Sequence, residues 1–229
     1  MKRLCIIPAR GGSKRIHRKN LRAFRGTPMI AWSIRAARES RLFDELLVST
    51  DDPDIADLAD SLGAWVPFRR SDATASDHAT TASVLVECID RLRRQGKVYH
   101  AVCNLYATAP FTTEVDLRNG LQQLVFGGFD AVLPVARFAY PIWRSLTRDP
   151  NGSVTMNWPE HRDTRSQDLP EAYHDAGQWC WFRPSALYRN GSLLSGNTGS
   201  VLLPDERVQD IDTEDDWVVA ERKHRIVFG

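Results

Sequence analysis

The sequence has no long apolar run and almost no net charge, and both absences exclude classes of protein. No apolar stretch approaches the roughly 18–20 residues of a membrane-spanning helix. The stretch after the basic amino terminus ends at Pro8 after about four apolar residues, which is too short for a secretory signal peptide. Lys and Arg number 30 against 29 Asp and Glu, a net charge of +1. This balance argues against a nucleic acid or a membrane as partner.

Cysteine is also scarce. The four cysteines are Cys5, Cys88, Cys103 and Cys180. They form no Cys-x-x-Cys pair and each lies in an apolar context, so we expect buried free thiols in a reducing compartment and a cytoplasmic protein. The six histidines show no spacing typical of a zinc site.

The organisation of the chain predicts an α/β fold. The 229 residues are 42% hydrophobic and 26% charged, which is typical of a soluble domain. Over the first 135 residues, short apolar runs alternate with segments of helical periodicity. Such alternation predicts parallel strands joined by right-handed crossovers. We therefore expect a single domain over residues 1–229, built on a three-layer, mostly parallel, doubly wound Rossmann-like sheet.

Individual elements can also be predicted. We expect strands at residues 3–8, 45–50, 101–106, 131–135, 179–182 and 200–203. Helix starts are predicted where a capping side chain precedes a helical stripe, at Thr27, Asp52, Thr113 and Thr213. Hydroxyls and Asp77 in the segment 76–81 predict a further cap, before a helix that ends at Arg94.

Residues 138–180 break the alternation. They are rich in turns and aromatic residues, as in Ala139-Tyr140-Pro141-Ile142-Trp143, and carry no helical stripe. We expect an insertion of hairpins or extended arms. Such an arm suits subunit contacts, and the sequence equally allows a lid over the active site.

The segment from Arg10 to Asn20 is the most informative part of the chain. It follows an apolar run, Leu4 to Ile7, and it combines two glycines with several cationic side chains. Glycines let backbone N–H groups approach an anion, and Arg and Lys add charge-assisted hydrogen bonds. Ligands of doubly wound sheets bind beyond the carboxyl ends of the strands. We therefore expect a phosphate site in this loop.

Two other interpretations of the basic segment stay open, a solvated surface and a patch for nucleic acid. Three observations favour phosphate. The segment is interleaved with Gly11, Gly12 and Ser13, it follows a buried strand directly, and the chain as a whole is nearly neutral. Neither the Walker pattern nor Gly-x-Gly-x-x-Gly is present, so the loop belongs to neither of those classes.

A pair of aspartates near the carboxyl terminus predicts a metal site. In an extended Asp210-Ile211-Asp212, alternate side chains point to one side, so both carboxylates can face one point. Mg²⁺ prefers carboxylate and phosphate oxygens. The alternative is structural, with Asp212 beside the cap at Thr213 and Asp210 solvated.

Further polar groups follow the predicted strands. Asp51 ends the second strand and is placed to face the ligand crevice, and one of Arg69 and Arg70 is placed to reach phosphate. The polar and aromatic segment 165–178 suits a sugar-like ligand. Its histidine, His174, has either a structural or a binding role.

Three of these motifs resemble one known family. Residues 8–15 with Lys19 and Asn20, residues 48–51 and residues 210–214 match motifs of the CMP-sugar synthetases. These are the cytidylyltransferases that activate nine-carbon acidic sugars, and the resemblance covers nearly the whole chain. Within the family, residues 108–111, 165–168, 173–178 and 197–199 resemble the branch that activates pseudaminic acid. Enzymes of the sialic acid branch usually carry Gln at the position of Tyr106.

The resemblance implies a nucleotidyltransferase fold and a reaction. CTP and pseudaminic acid would give CMP-pseudaminic acid and pyrophosphate, by in-line attack of the anomeric hydroxyl on the α-phosphorus, with Mg²⁺ bound by Asp210 and Asp212. It implies catalytic roles for Arg10, Lys19, Asp210 and Asp212. It implies nucleotide contacts by Ala9, Arg10, Gly11, Gly12, Ser13, Lys19, Asn20, Arg70 and Ser76. It implies sugar contacts by Tyr106, Arg165, His174 and Gln178.

The resemblance also suggests a homodimer with contacts from residues 138–175, and a product used for flagellin glycosylation or surface polysaccharide. Sialic, legionaminic and 3-deoxy-octulosonic acids stay open as the sugar. Two alternatives come from other classes of protein. One is a non-catalytic nucleotide-binding regulator on the same fold. The other is an RNA-binding module, which the low net charge and the lack of an aromatic stacking sheet disfavour.

Overall fold

The computed structural model of the protein describes residues 1–76 and 79–229. The strands are β1 (Arg3–Pro8), β2 (Ala23–Phe24), β3 (Thr27–Pro28), β4 (Glu45–Ser49), β5 (Ala101–Leu105), β6 (Ala131–Arg137), β7 (Leu146–Arg148), β8 (Val154–Met156), β9 (Tyr173–Asp175), β10 (Trp179–Phe182) and β11 (Thr198–Leu202). The helices are α1 (Met29–Ser40), α2 (Pro53–Ser61), α3 (Asp72–Ala75), α4 (Thr81–Arg94), α5 (Glu114–Phe126), α6 (Pro184–Asn190) and α7 (Glu214–Phe228). Asp77 and His78, part of a predicted capping segment, lie outside the described residues.

The central sheet confirms the prediction of a mostly parallel α/β fold. Its strand order is β11-β6-β10-β5-β1-β4, and β9 also pairs with β6. β1 runs parallel to β4 and β5, and β11 runs parallel to β6. β10 is antiparallel to both of its neighbours, and β9 is antiparallel to β6. After the inserted segment, the chain thus pairs with β6 through β9 and then forms β10 between β6 and β5.

Both faces of the sheet are covered, which explains the uninterrupted apolar run in β1. Cys5 and Ile7 pack in a core cluster with residues of α1 and α5. Leu4 and Ile6 pack in a second cluster with residues of α4. A strand that is buried on both faces needs apolar residues at every position. Each of these side chains contributes about 1.5–3 kcal/mol on burial.

Most of the predicted helix starts are confirmed. Asp52 accepts hydrogen bonds from the N–H groups of Asp54 and Ile55. Thr113 and Thr213 each form a capping box with an aspartate three residues later. These caps depend on residues a few positions apart, which is why local sequence reveals them.

The prediction that Thr27 caps the first helix is wrong, because Thr27 lies in β3 and α1 begins at Met29. β3 pairs antiparallel with β2. Arg25 and Gly26 have φ angles of 52° and 79°, which close a two-residue turn between these strands. The pattern of Thr followed by Pro serves the hairpin instead of the helix.

The inserted segment contains the expected hairpin, formed by β7 and β8. α6 was not predicted, because its only buried side chains are Ala186 and Leu187 and such a short stripe shows no periodicity. All four cysteines are buried and free, as predicted. Among the described residues, no helix is both long and apolar enough to cross a membrane.

Candidate active site

The loop after β1 is held against the loop after β4. The N–H of Ala9 donates to the carbonyl of Ser49 at 2.9 Å, and the N–H of Gly11 donates to Oδ1 of Asp51 at 3.1 Å. A Cβ at residue 11 would lie 2.5 Å from Oδ2 of Asp52, so only glycine fits there. A Cβ at Gly12 would meet no atom within 4 Å. Gly11 therefore permits the close approach of the two loops.

Asn20 fixes the other end of the loop. Its buried side chain donates from Nδ2 to the carbonyl of Arg10 at 2.9 Å, and its own carbonyl accepts the N–H of Ile30 at 3.0 Å. The predicted contact of Asn20 with nucleotide is thus accompanied by a structural role. It ties the start of the basic loop to its end and to α1.

The carboxyl-terminal aspartates meet this loop, although about 190 residues separate them in the sequence. Nη2 of Arg15 lies 2.8 Å from Oδ1 of Asp212, and Nζ of Lys19 lies 3.6 Å from the same oxygen. Lys19 also donates to the carbonyl of Ile211. The N–H of Asp212 donates to Oδ2 of Asp216 at 3.1 Å. The start of α7 therefore holds Asp212 against the basic loop.

A cavity of about 240 Å³ lies between these parts. Its walls come from the loop after β1, from the residues that follow β5, and from Asp212. The lining residues are Pro8, Arg10, Ser13, Lys14, Arg15, Ile16, Lys19, Asn20, Tyr106, Ala107, Thr108 and Asp212. It is a mainly polar and cationic cavity at the carboxyl ends of β1 and β5, where a doubly wound fold binds its ligand.

Burial lowers the pKa of Lys19, while Asp212 and, more weakly, Asp210 act in the opposite direction. The two carboxylates are therefore both close enough to Lys19 to stabilise its ammonium form. A cation in this half-buried position is poorly screened by water. It can attract a phosphate more strongly than an exposed lysine would.

The donor set fits magnesium better than a tightly held transition metal. Asp210 is exposed and Asp212 is half-buried. Within residues 1–76 and 79–229, no group of three or more His, Cys, Asp or Glu side chains is arranged to hold a metal ion. Mg²⁺ is typically held by one or two carboxylates together with phosphate oxygens and water. Asp212 lines the cationic cavity, and Asp210, two residues earlier, does not line it but acts on the charge of Lys19.

Arg70 and Ser76, predicted to bind the nucleotide, do not line this cavity. Arg70 is buried, and it donates to the carbonyl and to Oγ of Ser49 at 2.6 and 3.2 Å. Burial lowers the pKa of Arg70, and the nearby charge of Arg10 lowers it further. Arg70 thus stabilises Ser49, whose carbonyl also accepts the N–H of Ala9 at the start of the basic loop. Ser76 is exposed, and its Oγ donates to the carbonyl of Ala73 at 3.2 Å.

Of the four predicted sugar residues, one lines the cavity. Tyr106 lines the cavity, and burial raises the pKa of its hydroxyl. Arg165 is exposed in the inserted segment. His174 lies in β9, with its ring against Phe138 at a centroid distance of 5.0 Å. Neither Arg165 nor His174 lines the cavity.

Gln178, predicted to contact the sugar, has structural hydrogen bonds of its own. Its side chain is 3% exposed, donates from Nε2 to the carbonyl of Arg207 at 2.6 Å and accepts from Thr112 at 3.2 Å. Its carbonyl accepts the N–H of Tyr106 at 2.9 Å. Gln178 thus links three segments of the chain, and its contact with the sugar stays a prediction.

Sequence reasoning missed two residues that shape the site. Asp216 holds the backbone of Asp212 and Thr213, and its position three residues after Thr213 is the pattern that could have revealed it. Arg15 pairs with Asp212, and nothing distinguishes it in sequence from the other cations of its loop.

Comparisons with known proteins agree with this geometry. Residues 4–185 match the family model described as cytidylyltransferase. The chain is 38% identical over 226 residues to pseudaminic acid cytidylyltransferase of Campylobacter jejuni subsp. jejuni serotype O:23/36, covering 99% of this chain and 97% of that one. The chain belongs to the cytidylyltransferase family. It is a nucleotidyltransferase, as its sequence motifs predicted.

Relatives of this cytidylyltransferase differ in the sugar named for them. The chain is 30% identical over 237 residues to CMP-N,N'-diacetyllegionaminic acid synthase of Legionella pneumophila, covering 97% of this chain and 96% of that one. Among solved structures, CMP:2-keto-3-deoxy-manno-octonic acid synthetase complexed with CTP aligns with a TM-score of 0.69 at 17% identity, covering 99% of this chain and 98% of that one. That likeness supports the fold.

Proposed function

We propose that this protein transfers a cytidylyl group from CTP to pseudaminic acid and releases pyrophosphate. The observation that carries the proposal is the convergence of the glycine loop and Asp212 on one cationic cavity, together with 38% identity to a pseudaminic acid cytidylyltransferase over nearly the full length of both chains. A phosphate loop and a carboxylate on the same cavity are the two parts that nucleotidyl transfer needs.

The cavity suits a nucleoside triphosphate in its charge and position. Arg10, Lys14 and Lys19 line it, and Ser13 and Asn20 add hydrogen-bonding groups. Phosphoryl-type transfer depends on positioning and on neutralising charge more than on covalent help from the protein. Backbone groups of residues 8–12 would select cytosine.

The proposed chemistry is one in-line displacement. The anomeric oxygen of the sugar forms a bond to the α-phosphorus and releases its proton to water. The bond to the bridging oxygen of the β-phosphate breaks, and pyrophosphate leaves with the bonding electrons. Arg10 and Lys19 would stabilise the negative charge that develops on the phosphates. Asp210 and Asp212 would hold Mg²⁺, which when bound would polarise the α-phosphoryl group.

On the sugar side, Tyr106 lines the cavity and supports a contact with the sugar. Arg165 would bind the sugar carboxylate with its two-pronged guanidinium, and His174 would line the same side. Both belong to the inserted arm, which we propose as the contact between two subunits of a homodimer within a single-domain chain. The exposed apolar side chains of Tyr140, Leu146 and Val154 support that contact. We further propose a cytoplasmic enzyme.

The assay that tests the function is pyrophosphate release. Purified protein with Mg²⁺ and CTP is given pseudaminic, legionaminic, sialic or 3-deoxy-octulosonic acid, with ATP, UTP and GTP as controls for the base. We expect kcat/KM to be highest with CTP and pseudaminic acid. No turnover with any of the sugars would leave a non-catalytic nucleotide-binding role, and preference for legionaminic acid would reassign the branch. Sedimentation of the same sample measures the oligomeric state.

A further inference from the structure

We infer that Arg15 is a positioning residue that pairs with Asp212 until the nucleotide binds, and then moves to the triphosphate. The metal ion and the nucleotide then bind as a unit, and the metal alone binds weakly. This inference rests on the proposed function, and it assigns a role to Arg15, which lies in the motif at residues 8–15 but is not among the implied site residues.

Two cationic side chains lie near the same carboxylate oxygen of Asp212. Nη2 of Arg15 lies 2.8 Å from Oδ1, and Nζ of Lys19 lies 3.6 Å from it. The N–H of Asp212 is meanwhile held by Asp216 at 3.1 Å, so the segment is fixed at its backbone. A divalent cation that approaches this carboxylate is repelled by both positive charges. The site favours metal only after at least one of them has moved.

The two cations differ in freedom to move. The side chain of Lys19 is 16% exposed and also donates to the carbonyl of Ile211. The side chain of Arg15 is 68% exposed. An exposed ion pair contributes little free energy, so it can be broken readily. Arg15 is therefore the cation that can leave, while Lys19 stays.

The cavity offers Arg15 a second partner when nucleotide is present. Arg15 lines the cavity between the glycine loop and Asp212, together with Ser13 and Lys14. A triphosphate there would present several negative oxygens, and a guanidinium binds two phosphate oxygens at once. Binding of the triphosphate would thus draw Arg15 away from Asp212 and release the carboxylate for the metal.

The experiment measures Mn²⁺ binding without nucleotide. Free Mn²⁺ is followed by electron paramagnetic resonance in titrations of wild-type protein, Arg15→Gln and Arg18→Gln. We expect Arg15→Gln to bind Mn²⁺ about fivefold more tightly than wild type, the upper end for the loss of one exposed opposing charge. Arg18→Gln is the matched control. It removes the same charge from the same loop, but Arg18 pairs with Asp52 and Asp54. We expect its affinity to stay within about twofold of wild type, because screened charges at a distance act weakly.

Three results would overturn the inference. Equal Mn²⁺ affinity in wild type and Arg15→Gln would show that Arg15 does not oppose the metal. An equal gain in both variants would show a general effect of loop charge. Adding Asp212→Asn to Arg15→Gln must abolish the gain, and a gain that persists also contradicts the inference. Circular dichroism verifies folding. If Arg15→Gln does not fold, Arg15→Ala replaces it with the same expectation.

A ternary complex separates this inference from the proposed function. Wild-type protein with CTP and Mn²⁺ should enhance the relaxation of water protons, and Asp212→Asn should not. If wild type forms no ternary complex, the proposed metal site itself fails. If it forms one while Arg15→Gln gains nothing without nucleotide, only the role of Arg15 fails.

Discussion

The nucleotide side and the sugar side of the proposed site are assembled to different degrees within this chain. On the nucleotide side, the loop after β1 bonds to Asp51 through Gly11 and closes on itself through Asn20. Lys19 of the same loop pairs with Asp212, and both line one cavity. On the sugar side, only Tyr106 lines that cavity.

The inserted arm explains the difference. Its own cavity, about 620 Å³, is lined mainly by residues 137–142 and 166–172. Its exposed apolar side chains lie on short strands and turns instead of in the core. The groups proposed to bind CTP lie in loops at the carboxyl ends of the sheet strands, whereas the groups proposed to choose the sugar lie on an element that we propose to be completed by a second subunit.

On the nucleotide side, we expect substitution of Asp212 to have the largest effect on kcat. We expect Asp212→Asn to lower kcat by about a hundred- to a thousandfold, because it removes a carboxylate aimed at the metal and at the transferring phosphoryl group. Steady-state pyrophosphate release at saturating Mg²⁺ measures the effect. Asp215→Asn is the control, an exposed acid in the first turn of the same helix. A kcat for Asp212→Asn within threefold of the control, about the scatter of such measurements, would remove the metal role.

The packing of α7 gives the next prediction, because Asp212 lies two residues before the first residue of this helix. His224 is buried, with its ring 5.3 Å from Phe24, 4.5 Å from Trp32 and 4.7 Å from Phe228 between centroids. Burial, followed by the charges of Arg25 and Arg35, lowers the pKa of His224 to about 4. The unfolded chain therefore binds a proton near pH 6.5 that the folded protein takes up only near pH 4.

We expect this histidine to make folding less stable as pH falls through that window. The free energy of unfolding should drop by about 3 kcal/mol between pH 7 and pH 4 on account of His224. Urea unfolding at a series of pH values measures it, and His224→Phe should flatten the dependence by the same amount. Parallel pH profiles for wild type and His224→Phe would contradict the prediction.

Arg165 tests the sugar side alone. We expect Arg165→Ala to raise KM for the sugar about ten- to a hundredfold, the effect of losing hydrogen bonds to a charged group, with KM for CTP little changed. Arg162→Ala is the matched control, because Arg162 is another exposed arginine of the same arm. If Arg165→Ala raises both KM values alike, the two sides are not separate. If it changes neither, its proposed contact with the sugar carboxylate is wrong.

Features that depend on near neighbours or on a general rule of the fold could be predicted from the sequence. The caps at Asp52, Thr113 and Thr213 were predictable because their partners lie two or three residues away. The meeting of the glycine loop with Asp212 was predictable from a general rule about where doubly wound sheets bind ligands.

The misses have physical causes at longer range. The structural hydrogen bonds of Gln178 were not predicted, because its partners, Thr112 and Arg207, lie 66 and 29 residues away. The antiparallel β10 depends on how the chain returns along β6 after the arm, and its own residues do not encode a direction. Pairing at such distances is set by the whole fold, and no local pattern records it.

The smallest expected effect comes from substituting two adjacent glycines, which tests whether the loop after β1 sets the position of the nucleotide alone. We expect Gly11→Ala to raise KM for CTP about three- to tenfold, because the new Cβ would lie 2.5 Å from Oδ2 of Asp52 and must displace the loop by a fraction of an ångström. Gly12→Ala adds the same methyl group where no atom lies within 4 Å, so its effect should be clearly smaller.

Both glycine variants should leave KM for the sugar nearly unchanged, because the displaced loop belongs to the nucleotide side. Steady-state kinetics with each substrate varied in turn measures this. Equal effects of the two substitutions would mean that the contact between Gly11 and the β4–α2 loop does not set the nucleotide position. A rise in KM for the sugar equal to that for CTP would mean that the loop after β1 organises both halves, and that the sugar side is not an independent addition to a finished nucleotide site.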